Sequence, residues 1–174
     1  MVTSEVEIVR AAALDQLEPV RELFQSYQAQ LPSELRFPDS EWQTLPGTYG
    51  PPGGELLLAT VAGYPAGCVG LRPFPLPAAC EMKRLFVSPL FRGHNLGSVL
   101  IERIILVARE LGYTRMRLDT HFPTMGAAVR LYRQFGFVEV PAEPMPQVEG
   151  LSYMELRLGA DRHIVRASRH EPPG

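Results

Sequence analysis

Glu81-Met82-Lys83-Arg84-Leu85-Phe86-Val87-Ser88-Pro89-Leu90-Phe91-Arg92-Gly93-His94-Asn95-Leu96-Gly97-Ser98 is the most informative stretch of the chain. It begins inside an apolar run, Cys80 to Val87, that reads as a strand. Gly93 to Gly97 then leads into an amphipathic helix whose buried stripe is Leu96, Val99, Leu100, Ile104, Val107 and Leu111, with Gly112 suited to the C-terminal cap. A helix N-terminus leaves unpaired N–H groups and the positive end of the dipole, which favour an anionic phosphate. Small residues there let the backbone come close to a ligand. The stretch lacks the Gly-Lys-Ser/Thr ending of a nucleotide P-loop and is not Gly-x-Gly-x-x-Gly. Taken alone, a strand, loop and helix with two glycines fits a phosphate cradle or a tight turn equally well.

Upstream, Glu5 to Arg10 alternates as a first strand. Asp15 followed by Glu18 has the spacing of a capping box, and Leu17, Val20, Phe24, Tyr27 and Leu31 form the stripe of the helix it would open. Pro19 fits that start poorly, because only a first turn tolerates proline well. Pro32 to Gly54 is dense in proline and glycine and reads as loop with a short helix near Ser40 to Leu45. Leu56 to Val61 and Ala66 to Leu71 are strands joined by Gly63-Tyr64-Pro65. Beyond the central helix come a strand at Arg115 to Thr120, a helix from Gly126 to Phe135 closed by Gly136, and strands at Phe137 to Val140 and Ser152 to Leu158. This order predicts a mixed α/β (α+β) domain around one sheet over residues 1–158. Residues 159–174 read as a polar, flexible tail, with Arg162, Arg166 and Arg169 as a solvated face.

Composition narrows the classes. The 174 residues carry 17 Lys+Arg against 19 Asp+Glu, a net charge of −2, with 45% apolar residues. That balance suits one globular domain and gives no electrostatic case for nucleic acid or a membrane surface. No apolar run reaches the roughly 18 residues of a membrane span. The acidic N-terminus lacks the plan of a signal peptide, so a cytoplasmic location is expected. Cys68 and Cys80 form neither a disulfide framework nor a zinc spacing, so they are expected as small core residues and no metal is expected. Lys83 is the single lysine beside sixteen arginines.

The block Arg92-x-x-Asn95-x-Gly97 resembles the acyl-CoA-binding motif of the GNAT superfamily, the general N-acetyltransferases. That motif reads Gln/Arg-x-x-Gly-x-Gly/Ala after a strand of the Lys-Arg-Leu-aromatic-Val-x-Pro kind. A second family-like block follows at the expected distance, Leu118-Asp119-Thr120 and then Ala128-x-x-x-Tyr132-x-x-x-Gly136-Phe137. The resemblance covers about residues 5–158. It implies a mostly antiparallel central sheet flanked by helices, with an acyl-CoA-binding cleft between the fourth and fifth strands. It also implies acetyl transfer from acetyl-CoA to a primary amine by direct attack in a ternary complex, with no activated cysteine or Ser–His pair in view to carry a covalent intermediate.

Position by position, the resemblance implies that Leu85, Phe86 and Val87 carry the pantetheine arm. The Val87 N–H would polarise the thioester carbonyl. The N–H groups of Arg92, Gly93, His94, Asn95, Leu96, Gly97 and Ser98 would hold the pyrophosphate. Tyr132 would protonate the departing thiolate, or else pack beside Ala128 and Phe135. Glu81 is the candidate general base for the acceptor ammonium, or else a partner of Lys83 or Arg84.

Two positions depart from the family pattern. Asn95 replaces the usual glycine, and asparagine best tolerates a left-handed backbone among the other residues. Met125 stands where many members have asparagine, so Thr124 is the candidate substitute contact. His121 reads as a substrate contact or a loop histidine. Phe37, Trp42 and Tyr49 would line the acceptor pocket or cover the first helix. A small amine or amino acid is the expected acceptor, with a peptide N-terminus, a protein lysine or a non-catalytic binding domain as alternatives. The final strands offer an edge for a homodimer.

Overall fold

The computed structural model describes residues 5–159, so residues 160–174, with Arg162, Arg166 and Arg169, lie outside the described residues. Seven strands form one sheet. They are β1 (Val6–Arg10), β2 (Glu55–Val61), β3 (Tyr64–Pro73), β4 (Ala79–Val87), β5 (Arg115–His121), β6 (Val138–Val140) and β7 (Leu151–Arg157). Their spatial order is β1-β2-β3-β4-β5-β7-β6. Every neighbouring pair is antiparallel except β4 and β5. Four α-helices complete the domain: α1 (Leu14–Gln30), α2 (Ser40–Gln43), α3 (Leu96–Glu110) and α4 (Gly126–Gln134).

The apolar run in β2 is continuous because both of its faces are covered. Leu57 and Ala59 join Leu100, Ile101, Ile104 and Val129 on the side of α3 and α4. Leu56 and Leu58 face Val20, Phe24 and Phe37 on the side of α1. Of the α3 stripe, Leu96, Leu100, Ile104 and Val107 are buried, Val99 is half-buried, and Leu111 lies past the helix end and is exposed. Gly112 follows in the left-handed region, φ +85°, where a side chain would be strained.

The start of α1 differs from the expected one. The helix begins at Leu14, and the Gln16 side-chain oxygen accepts the Ala12 and Ala13 N–H groups at 3.1 and 3.2 Å. Asp15 therefore lies inside the first turn rather than at the cap, and Glu18 does not close a box with it. Pro19 sits within the helix, where its missing N–H leaves only the carbonyl of solvent-exposed Asp15 without a helical partner. A tertiary stripe of buried Leu17, Val20, Leu23 and Phe24 outweighs that local cost.

The feature that positions the site is a parting of strands. β4 and β5 pair only at Ala79↔Arg115, Cys80↔Met116 and Glu81↔Arg117. Beyond Glu81 the two strands separate, and the rest of β4 has an unpaired edge facing the gap.

Candidate active site

The backbone of β4 acquires its orientation from a bulge. Gly70 pairs with Lys83 and Cys68 with Phe86, so Val69 alone stands opposite both Arg84 and Leu85. Arg84 takes φ +56° there. A non-glycine residue in that region costs on the order of 1–2 kcal/mol. Before the bulge, Phe74 N–H donates to Ala79 O at 3.0 Å, so the odd-numbered residues of β4 bond to β3. After it, Ser88 N–H donates to Ala66 O at 2.8 Å, and the even-numbered residues do. The extra residue thus reverses the parity. It turns the N–H groups of Leu85 and Val87 away from β3 and into the gap.

Below that edge lies a cradle of backbone N–H groups. Gly93 (φ +84°) and Asn95 (φ +61°) both adopt left-handed conformations, and Asn95 precedes the first residue of α3. Its side chain makes no capping bond. The first N–H of this region to find a backbone acceptor is Val99, which donates to Asn95 O at 3.2 Å. No protein acceptor takes the N–H groups of Gly93 through Ser98 among the described residues. A cleft of about 530 Å³ opens on them. Its opposite wall is one face of α4, with Ala127, Arg130, Leu131 and Gln134 at helical spacing. Arg130 is exposed and in no ion pair among the described residues, a cation that the motif comparison did not single out.

A second cavity of about 460 Å³ adjoins the first through Val87 and Arg92, and runs between the end of α1 and α4. Tyr27, Leu85, Phe86, Thr124, Met125 and Tyr132 line it. A narrow recess of about 40 Å³ continues inward past Tyr27 and Tyr132 to Lys83, Arg84 and Asp119. Tyr132 is 8% exposed, and burial raises its phenol well above the ordinary value, so it stays protonated at neutral pH. Lys83 Nζ lies 2.7 Å from Asp119 Oδ1 and 3.5 Å from Glu81 Oε1, and Arg72 Nε is 3.0 Å from Glu81 Oε2. Alternating charges therefore run Arg72, Glu81, Lys83, Asp119 from β3 across β4 to β5. Burial opposes ionisation of Asp119, but Lys83 and then Arg84 outweigh it and hold the carboxyl below its usual value.

The expected site residues separate on this frame. Leu85, Phe86, Val87, Arg92 and Thr124 line the second cavity, and Arg92, Gly93, Asn95, Leu96, Gly97 and Ser98 line the cradle. Tyr132 stands where the two inner spaces meet. His94 is exposed and lies off the cradle wall, leaving its backbone N–H as the contribution it can make. Glu81 is buried behind Lys83 and lines neither cavity, whereas Asp119 reaches the recess. Phe37, Trp42 and Tyr49 pack with Phe24 against α1 and line none of these spaces. His121 bonds to Thr124 at 2.8 Å outside the cavities. Both cysteines are buried in the two cores. The Arg92 side chain donates to Val87 O at 3.3 Å and to Gln30 Oε1 at 3.0 Å, spanning the junction of the two clefts.

The acetyltransferase (GNAT) family profile matches residues 17–137, which contain the bulge, the cradle and Tyr132. The chain belongs to the GNAT family. An uncharacterised N-acetyltransferase of Schizosaccharomyces pombe is 37% identical over 161 residues, 91% of this chain and 98% of that protein. The fold matches a GNAT acetyltransferase of Staphylococcus aureus Mu50 with a TM-score of 0.72 at 18% identity, covering 89% of this chain and all of that one. It also matches a Salmonella typhimurium protein solved with its cofactor acetyl-CoA, with a TM-score of 0.66 at 20% identity over 91% and 95% of the two chains. This GNAT chain is thus an N-acetyltransferase by family, with the mixed sheet and the parted fourth and fifth strands that the resemblance implied. No helix among the described residues is long and apolar enough to cross a membrane.

Proposed function

We propose that this enzyme transfers an acetyl group from acetyl-CoA to the primary amine of a small metabolite or amino acid. Acetyl-CoA, when bound, supplies the activated acyl group. The observation that carries the reading is the pairing of two unfilled donor sets, the N–H groups of Gly93–Ser98 and the gap-facing N–H groups of Leu85 and Val87. The first set suits a pyrophosphate and the second an extended amide chain with a carbonyl at its end. With an acyl-CoA in the gap, the Val87 N–H would donate to the acyl oxygen, where negative charge develops. Tyr132, kept protonated by burial, holds the proton for the departing sulfur. Asp119, at the recess behind Tyr27, is the carboxylate placed to take the acceptor's ammonium proton, while Glu81 lies behind Lys83 and shares that ammonium with Asp119. A cavity of about 460 Å³ has room for a small amine beside an acyl group. The two buried free thiols suit a reducing cytoplasm.

A panel of amino acids, polyamines and short peptides, scored by thiol release, tests this reading. Turnover with small amines, lowered in Tyr132→Phe and in Asp119→Asn or Glu81→Gln, is the expected result. Turnover with peptides alone would move the acceptor class. Unchanged activity in all three variants would remove the assigned roles.

A further inference from the structure

Arg84 occupies a place where glycine is the ordinary choice, the left-handed residue of a bulge. A residue with a side chain persists in such a conformation only where its surroundings over-determine it. Here they are specific. The guanidinium donates from Nε and Nη2 to the two carboxylate oxygens of Glu41, the second bond being 2.9 Å long. Its Cζ lies 3.8 Å above the Phe37 ring. Glu41 also accepts from the Tyr49 hydroxyl at 3.2 Å, and both members of the ion pair are mostly buried. Phe37, Glu41 and Tyr49 all belong to the segment between α1 and β2, whose function the motifs leave open. One side chain therefore ties that segment to the residue that sets the parity of β4, three positions before Val87.

We propose that Arg84 is a positioning residue, whose ion pair with Glu41 holds the β4 bulge and so aims the Val87 N–H into the gap. It touches no reacting atom. If the clamp is released, the strained backbone relaxes toward a regular ladder, in which residue 87 would bond to β3 instead. The bidentate geometry explains arginine here, because a lysine ammonium cannot match both carboxylate oxygens in one plane. Docking of the 32–54 segment and polarisation of the acyl carbonyl then become one event. The proposal rests on the acyl-CoA reading of the gap only for its catalytic meaning.

The test uses Glu41→Gln, Arg84→Ala and Arg84→Gly in the full chain, with two readouts. The first is amide exchange at Val87 in the free protein. It is fast in the wild type, slows in Glu41→Gln and Arg84→Ala as the N–H turns to β3, and stays fast in Arg84→Gly, because glycine holds the left-handed conformation unaided. The second is the infrared band of acetyl-CoA isotope-labelled at the acyl carbonyl. Binding to wild type lowers its frequency. At saturating ligand, Glu41→Gln and Arg84→Ala return it toward the free value, with CoA binding weakened because the Leu85 N–H turns with that of Val87, and Arg84→Gly keeps the frequency low and the affinity intact. Wild-type behaviour in Glu41→Gln and Arg84→Ala would overturn the proposal, as would an Arg84→Gly variant that behaves like Arg84→Ala. If acetyl-CoA does not bind the wild type, the cofactor reading fails by itself, and Val87 exchange still decides the clamp.

Discussion

Asp119 and Lys83 join β5 to β4 just beyond their last paired residues, Glu81 and Arg117, so this ion pair fixes where the strands part. Asp119→Asn keeps the shape and removes the charge. The Lys83 side chain is only 11% exposed, and its ammonium would be left with Glu81 at 3.5 Å, a carboxylate already shared with Arg72. A hydrogen bond to a charged group contributes about 1.5–3 kcal/mol, and breaking one side of a fully buried pair costs about 3–5 kcal/mol. The Asp119 side chain keeps 26% exposure, and Glu81 remains as a second partner, so the cost falls near the lower end. We expect a loss of about 2 kcal/mol and a fall in Tm of roughly 4–8 °C. Urea unfolding followed by the single tryptophan, Trp42, measures it.

The pH dependence has a definite sign. The Asp119 carboxyl is held below its usual value in the folded state. Its contribution is therefore complete above the unfolded value of about 4, and it is lost as pH falls through the folded value. The gap between wild type and Asp119→Asn should stay constant from neutral pH to about pH 5 and narrow below about pH 4. A neutral-pH difference under about 0.5 kcal/mol, or a gap that persists unchanged in acid, would refute this account of the pair.

Other perturbations have equally direct readouts. Tyr132→Phe should lower kcat by about 100-fold with little change in CoA affinity, since it removes the proton donor proposed for the departing sulfur and leaves the ring packed on Phe137. Native Cys68 and Cys80 should resist thiol reagents and react only on unfolding, because both are buried and burial pushes Cys80 up to about 12 and Cys68 higher still. Labelling of the folded chain would contradict that. A Cβ at Gly54 would lie 2.5 Å from the Tyr49 carbonyl carbon and 2.6 Å from Thr48 O, so Gly54→Ala should cost about 3 kcal/mol in the same urea experiment.

The order of strands and helices was legible because period-2 and period-3.6 patterns are local. So was the entry to α3, where glycine and asparagine announce a left-handed turn in the sequence itself. The bulge at Arg84 was not legible. Glycine is its usual signal, and what replaces glycine here is a contact with Glu41, 43 residues away. The start of α1 misled for a related reason, since Asp15 and Glu18 have the right spacing but the Gln16 side chain makes the bonds. The residues named from the motif at the start of α3 line the first cleft except His94, and Tyr132 lines the second. The motif comparison singled out Glu81 as the carboxylate, whereas the cross-strand Lys83–Asp119 pair puts Asp119 at the recess, and such a pairing depends on register rather than spacing.

The central claim is that the gap between β4 and β5, with the cradle at the start of α3, holds an acyl-CoA. Its most direct test is the melting temperature of the chain with acetyl-CoA, with CoA and with adenosine triphosphate as a control. Ligand at 100 times Kd stabilises by about 2.7 kcal/mol, a rise of roughly 5–10 °C for a domain of this size. The account predicts that rise with acetyl-CoA and CoA and none of comparable size with the triphosphate. No shift with either thioester or thiol, or an equal shift with the triphosphate, would contradict it.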